Sequence, residues 1–288
     1  MPVPITVSIG TWHRRGGFGV NTPDPLRGPV LALLSSVLGP IGLIGLVGLA
    51  GTGSASGNAN LPGNPAHELH IGRLIYEPGN RSGFGPGRAW WRIDWPEAER
   101  HFLEGVARYT VIDTAPDSAH VSLLDDALFD HPWLLVQQPG RWGLSSAETD
   151  RLGEYLRRGG FLMVDDFHGP AQWSVFEQAI RRAVPDHAIV DLAEDELLDV
   201  LYELDGRTQI PGRRHLVRGS DGIEARMPHG PPRWRGIRDE AGRLMAAINF
   251  NMDTGDAWEH ADDPAYPVAM TSFAYRVGIN YLVYALTH

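Results

Sequence analysis

The sequence predicts an α/β fold: an open, mostly parallel sheet with helices on both faces, preceded by an N-terminal hydrophobic segment. Three observations carry this. The run Gly160-Phe161-Leu162-Met163-Val164-Asp165-Asp166-Phe167-His168-Gly169 is an apolar strand that empties into two carboxylates and an imidazole, directly after a helical stretch stopped by Gly159-Gly160. Trp133 to Gln137 is continuously apolar, the pattern of a strand covered on both faces. Helical segments with their own start signals alternate with such strands, as in parallel sheets. Ligands of open α/β sheets sit beyond the carboxyl ends of the strands, so the acid and imidazole after Val164 mark where a site belongs.

The elements follow in order. His70 to Tyr76 reads as a first strand, and the glycine-rich stretch Gly79 to Gly87 as a loop. Asp94, with Pro96 and Glu97 behind it, has the form of an N-cap opening a helix that runs to about Tyr109. Thr110 to Asp113 reads as a short second strand and Trp133 to Gln137 as the third. Ser145 and Glu148 form a capping box for a helix that places Leu152, Tyr155 and Leu156 on one face. Phe161 to Asp165 is the fourth strand, followed by a helix from about Gln172 to Val184. Leu244 to Phe250 reads as a late strand and Phe273 to Leu286 as a closing helix. Residues 191–243, an acidic part followed by an arginine-rich one, read as an irregular insertion folding over the sheet.

Composition sets limits. The 288 residues suffice for one large α/β domain or two small ones. Hydrophobic residues make up 43%, which argues against wholesale disorder. The net charge is −10 and all 25 cationic residues are arginine, a balance that argues against nucleic-acid binding. There is no cysteine, which excludes disulfides, thiolate metal sites and a thiol nucleophile. No Gly-x-Ser-x-Gly elbow occurs, which disfavours a serine hydrolase of the usual α/β kind.

Residues 1–60 differ in kind from the rest. Arg14, Arg15 and Arg27 precede an uncharged stretch from Gly28 to Ala50, and the next acid is Glu68. As a helix, Pro29 to Ala50 is long enough to span a bilayer core of about 30 Å. Small residues then lead to Gly57-Asn58-Ala59, a possible peptidase exit. Cationic start, apolar middle and small-residue end read as an export signal or, uncleaved, as a single transmembrane anchor with linker. Arginines before the span place the remainder outside the cytoplasm, at the membrane or in the periplasm. Residues 67–288 then form a single α/β domain.

If the sheet is parallel, the stretches after its strands gather at one edge. Arg88 and Arg92 are then placed to pair with negative groups of a ligand, and Trp90, Trp91 and Trp258 to wall the pocket. Gln138, Asp165, Asp166, His168, Asn251 and Asp253 supply its polar contacts. Asp166, His168 and Asp253 are also candidate ligands of a divalent cation, the one cofactor suggested. Asp166, His168 and Glu259 are candidate catalytic groups for acid–base work. Neighbouring strand residues point oppositely, so one of Asp165 and Asp166 is expected to be structural, capping the next turn.

Several landmarks resemble a bacterial family known as domain of unknown function 4159. They are Leu74-Ile75-Tyr76, then Trp90-Trp91 with Asp94 and Pro96, then Arg157-Arg158-Gly159-Gly160-Phe161 leading to Asp165-Asp166-Phe167-His168-Gly169, then Trp258-Glu259, and Arg276-Val277-Gly278-Ile279-Asn280 at the end. The resemblance covers roughly Glu68 to His288. It implies a flavodoxin-like sheet related to class I glutamine amidotransferase folds, in proteins often exported or membrane-attached, and it carries no activity across. The chain departs from the pattern at Gln137-Gln138-Pro139-Gly140, where relatives tend to have glycine-histidine, and at Asn251 to Asp256, where a cysteine is common. A thiol amidotransferase is impossible here. The expectation is an exported or membrane-anchored module, leaning to non-catalytic, that binds a polar ligand or an envelope protein. The alternative is a metal-assisted or acid–base hydrolase built on Asp166, His168, Asp253 and Glu259.

Overall fold

A computed structural model describes residues 67–79, 88–192, 200–204, 209–219 and 222–288. The proposed export signal or anchor, and Arg81 in the glycine-rich loop, lie outside them. In chain order the elements are β1 (Gly72–Ile75), α1 (Glu97–Tyr109), β2 (Ala119–Ser122), β3 (Trp133–Gln137), α2 (Ser146–Arg157), β4 (Phe161–Phe167), α3 (Gly169–Ala183) and β5 (Ile189–Asp191). They continue with β6 (Leu216–Gly219), β7 (Gly222–Ala225), β8 (Arg233–Arg238), β9 (Leu244–Phe250), α4 (Thr254–Glu259) and α5 (Val268–Thr287).

Seven strands form one sheet in the order β2-β1-β3-β4-β9-β8-β5, and β6 with β7 makes a separate hairpin. The first five of that order are mutually parallel. β8 runs antiparallel to β9, and β5 antiparallel to β8. The chain moves outward from β1 to β2 and then returns to the other side of β1 with β3. That reversal opens a crevice beyond the carboxyl ends of β1 and β3, the usual ligand position in such sheets.

Both faces of the central strands are buried, which is why β3, β4 and β9 are apolar almost throughout. Alternation decides which layer each residue meets. Trp133 and Leu135 join the core under α1, α4 and α5, whereas Leu134 and Val136 join the core under α2 and α3. Phe102 of α1 stacks against Trp258 of α4 at 4.2 Å and against Trp133 at 5.7 Å. Full burial of a side chain of this kind contributes about 2–3 kcal/mol.

Local signals succeed where they are strong. β3 and β9 have the expected bounds, and the Ser145–Glu148 capping box forms with both of its bonds. Three expectations need correction. Thr110–Asp113 is not a strand: the Thr110 hydroxyl donates to Val106 O and accepts from Ile112 N, turning the chain at the end of α1. The second strand is Ala119–Ser122 instead. Asp94 is not the N-cap of α1; Pro96 stands there without a side-chain cap. Residues 191–243 are not simply irregular, because β8 lies among them and joins the main sheet beside β9. Among the described residues no helix is long and apolar enough to cross a membrane.

Candidate functional site

Among the described residues four that are not glycine have left-handed backbone: Asp94 (φ 62°), Gln138 (φ 54°), Asp166 (φ 50°) and Asn251 (φ 62°). Gln138 directly follows β3, Asn251 directly follows β9, Asp166 sits in a register shift near the end of β4, and Asp94 leads into α1. All four are polar, and all lie on segments that converge where the parallel strands end. Such conformations cost about 1–3 kcal/mol each and persist where surrounding contacts over-determine them.

The bulge in β4 separates the two adjacent acids. Asp165 is fully buried and accepts from Thr254 N (2.6 Å), Gly255 N (2.9 Å), Thr254 Oγ1 (2.9 Å) and Asn249 Nδ2 (3.3 Å). It binds the start of α4 and is structural, as one of the two was expected to be, but what it holds is a helix 89 residues on in the chain and not the next turn. Burial raises its carboxyl to about 6, against the lowering effect of these donors. Asp166 looks the other way. It accepts from Gln138 Nε2, pairs with His168 Nε2 at 3.1 Å and lies 3.5 Å from a guanidinium nitrogen of Arg214.

Histidines gather on this acid. The His168 ring centroid is 5.4 Å from that of His215 and 5.6 Å from that of His229, and the latter two are 6.3 Å apart. Burial, with Arg214 and the neighbouring imidazoles, pushes His215 down to about 4. His229 is lowered for similar reasons. His215 and His229 stand alone in a stretch without periodicity, and nothing in their sequence surroundings distinguishes them from surface histidines. β8 and the β6–β7 hairpin carry them to the rim.

Arginines form the outer part. Arg88 and Arg141 each place their guanidinium carbon 4.0 Å from the Trp90 ring. Arg141 Nε donates to Gln138 Oε1 at 2.9 Å, so Gln138 joins Arg141 to Asp166. The Tyr76 hydroxyl fixes this exit of β3 through the carbonyls of Gln137 and Gln138, both at 2.8 Å. Mutual repulsion among Arg88, Arg141 and Arg214 contributes to a lowered Arg141, behind the larger effect of burial.

Other expected site residues are placed elsewhere or are already engaged. Trp258 walls no pocket; it is fully buried against Phe102. Trp91 and Trp95 pack on His120 of β2, and Arg92 lies over Trp95, toward the outer edge of the sheet. Asn251 is a tie: Oδ1 accepts from Gly169 N, and Nδ2 donates to His229 O and Pro231 O. Asp253 caps α4 through Asp256 N, yet has a ligand atom within 4.8 Å of ones on Asp166 and His168. Glu259 groups instead with Asp256 and His260. Burial, with Asp256 beside it, raises the Glu259 carboxyl.

Two landmarks of the closing segment have structural explanations. Gly278 has no side chain because a Cβ there would lie 2.5 Å from Trp258 Cζ2 and 2.7 Å from Phe102 Cε2. Asn280 holds the 201–202 backbone, accepting from Leu201 N and Tyr202 N and donating to Tyr202 O.

The family model described as Domain of unknown function (DUF4159) matches residues 70–286, and the chain belongs to that family. No curated protein matches the chain.

Proposed function

We propose that this member of the DUF4159 family is an exported or membrane-anchored module with a flavodoxin-like, glutamine-amidotransferase-like sheet that binds a small anionic ligand at its strand ends. The parallel strand order β2-β1-β3-β4-β9 supports the flavodoxin-like assignment, since that fold uses the order 2-1-3-4-5. The arginine-flanked apolar stretch of residues 29–50 supports export or anchoring.

One observation carries the ligand class. Arg88 and Arg141 share the Trp90 ring, Arg141 reaches Asp166 through Gln138, and Arg214 pairs with Asp166 from outside. Guanidinium forks favour carboxylate, phosphate and similar planar or multi-oxygen anions. Arg88 and Arg214 are exposed, so incoming anions can reach them. Asp166 and His168 orient the neutral or donor part of the ligand.

Thermal unfolding tests this with phosphate, sulfate and a tricarboxylate. At ten times its Kd a ligand stabilises by about 1.4 kcal/mol, about 3–5 °C for a domain of this size. Arg141→Gln and Arg214→Gln should each remove the shift. If none of the three anions moves the midpoint, the anion reading fails. Fractionation with and without residues 1–60 tests the location, since an anchor or signal is needed to leave the cytosol.

A second reading has its own observation. The His168–Asp166 pair with Asp253 nearby has the composition of an acid–base or metal-assisted hydrolytic group. Turnover of simple ester or phosphoester substrates that Asp166→Asn abolishes would favour it.

A further inference from the structure

We propose that Asp94, Asp253, Asp256 and the Gln137 side-chain amide form a binding site for a hard divalent cation beneath the arginine rim. One carboxylate oxygen from each of the three acids lies within 4.8 Å of the others. Oxygens at such separations can share an ion whose ligands sit at about 2.4 Å, the distance calcium prefers. An all-oxygen donor set selects calcium, magnesium or manganese over zinc or copper.

The acids alone would not make the case; Gln137 does. It is fully buried at the end of β3, and neither its Nε2 nor its Oε1 has a hydrogen-bond partner. Asp94 Oδ2 is likewise buried without a partner. Burying such groups without a partner is costly, so a fully buried amide with no partner points to a ligand-binding role. The two orphaned groups face the same space. A Cβ on Gly255 would lie 2.1 Å from Gln137 Nε2 and 2.7 Å from Asp94 Oδ2. A half-turn of the amide, which keeps the shape of the side chain, presents Oε1 there instead.

A second glycine guards the other side. A Cβ on Gly212 would lie 2.6 Å from Asp253 Oδ2 and 3.1 Å from Asp256 Oδ2. Side-chain-free backbone thus borders the cluster at both ends. Among the described residues no salt bridge joins an arginine to Asp94, Asp253 or Asp256; Arg73 acts on Asp94 only from a distance, and Asp256 Oδ2 accepts from the Arg213 backbone N–H at 2.7 Å. Asp253 lies within reach of Asp166 and His168 as well, so a bound ion would sit directly below the rim. The inference does not rest on the anion-binding reading.

The test is calorimetric and thermal titration of the EDTA-stripped full chain with calcium, magnesium and manganese chlorides. The expected result is saturable binding of one ion per chain and a rising unfolding midpoint. Asp256→Asn and Gln137→Leu should each weaken binding by about tenfold or more, equivalent to the loss of one good ligand. Gly255→Ala, which fills the space, should do the same. Arg214→Gln should bind the cation as the wild type does while losing any anion response, so the two readings fail separately. Should a variant not fold, terbium luminescence of the wild-type chain, quenched by added calcium, reports the same site. Absence of saturable binding by all three cations and by terbium, in a folded chain, overturns the proposal. So does wild-type affinity in folded Asp256→Asn and Gln137→Leu.

Discussion

Asp165 and Asp166 are consecutive in sequence and serve different layers: Asp165 takes the backbone N–H groups of Thr254 and Gly255, and Asp166 takes Gln138 and His168. The register shift in β4 makes the division possible by turning Asp166 into left-handed backbone. One acid holds α4 to the sheet; the other is presented to the rim. Asp165→Ala strands two N–H groups and a hydroxyl in the interior, so a loss of about 3–5 kcal/mol in urea unfolding is expected. Asp166→Asn keeps the size and most hydrogen-bonding capacity and should cost less than about 1 kcal/mol while lowering ligand affinity. Equal destabilisation by the two changes would contradict the assignment.

Arg73 and Glu99 form an ion pair with essentially no solvent exposure, joining β1 to α1. Arg73 also donates to Trp91 O and Ile93 O, which positions the segment leading to Asp94. Glu99→Ala leaves a buried guanidinium uncompensated and is expected to cost about 3–5 kcal/mol. Glu99→Gln retains an acceptor and should cost less. Chemical denaturation of the two variants decides it: a cost for Glu99→Ala of about 1 kcal/mol or less, the range of an exposed surface pair, would mean the pair holds nothing.

The Ser145 hydroxyl accepts from Glu148 N, and the Glu148 carboxylate accepts from Ser145 N and Oγ. Ser145→Ala should lower stability by about 1 kcal/mol. The ligand response should be untouched, because the cap stands at the start of α2 and makes no contact with the rim arginines. Thermal melts with and without ligand check both halves.

His215 titrates at about 4 in the folded chain against an ordinary 6.5. Between those values the unfolded chain binds a proton that the folded chain refuses, so stability contributed by this group is complete above about pH 6.5 and is lost as pH falls toward 4. His215→Gln should flatten the fall in stability over that window. The imidazole resonances of His215, followed by NMR, should titrate near the lower value; a midpoint near 6.5 would exclude the packed histidine cluster.

Much of the frame was legible from neighbours in sequence. The bounds of β3 and β9, the cap of α2 and the convergence of Gln138 and Asp166 follow from apolar runs, capping chemistry and the rule that ligands meet strand ends. Other features were not. The strand at Ala119–Ser122 has weak apolar character and is held chiefly by pairing along β1. β8 lies inside an arginine-rich stretch that reads as an irregular insertion, because its order comes from pairing with β9. Trp258 looks like a pocket wall in one dimension and proves to be core, since α4 turns it onto Phe102.

Chemistry of adjacent residues settles the strands at Trp133–Gln137 and Leu244–Phe250, the start of α2, that the two acids differ in direction, and that no thiol takes part. These are short-range matters of period, capping and composition. Meetings between remote segments depend on strand order and on the paths of connecting segments, which local preferences do not encode. Folding therefore decides that His215 and His229 reach His168, that Arg141 through Gln138 and Arg214 directly meet at Asp166, and that Gln137 faces Asp94 beside Gly255.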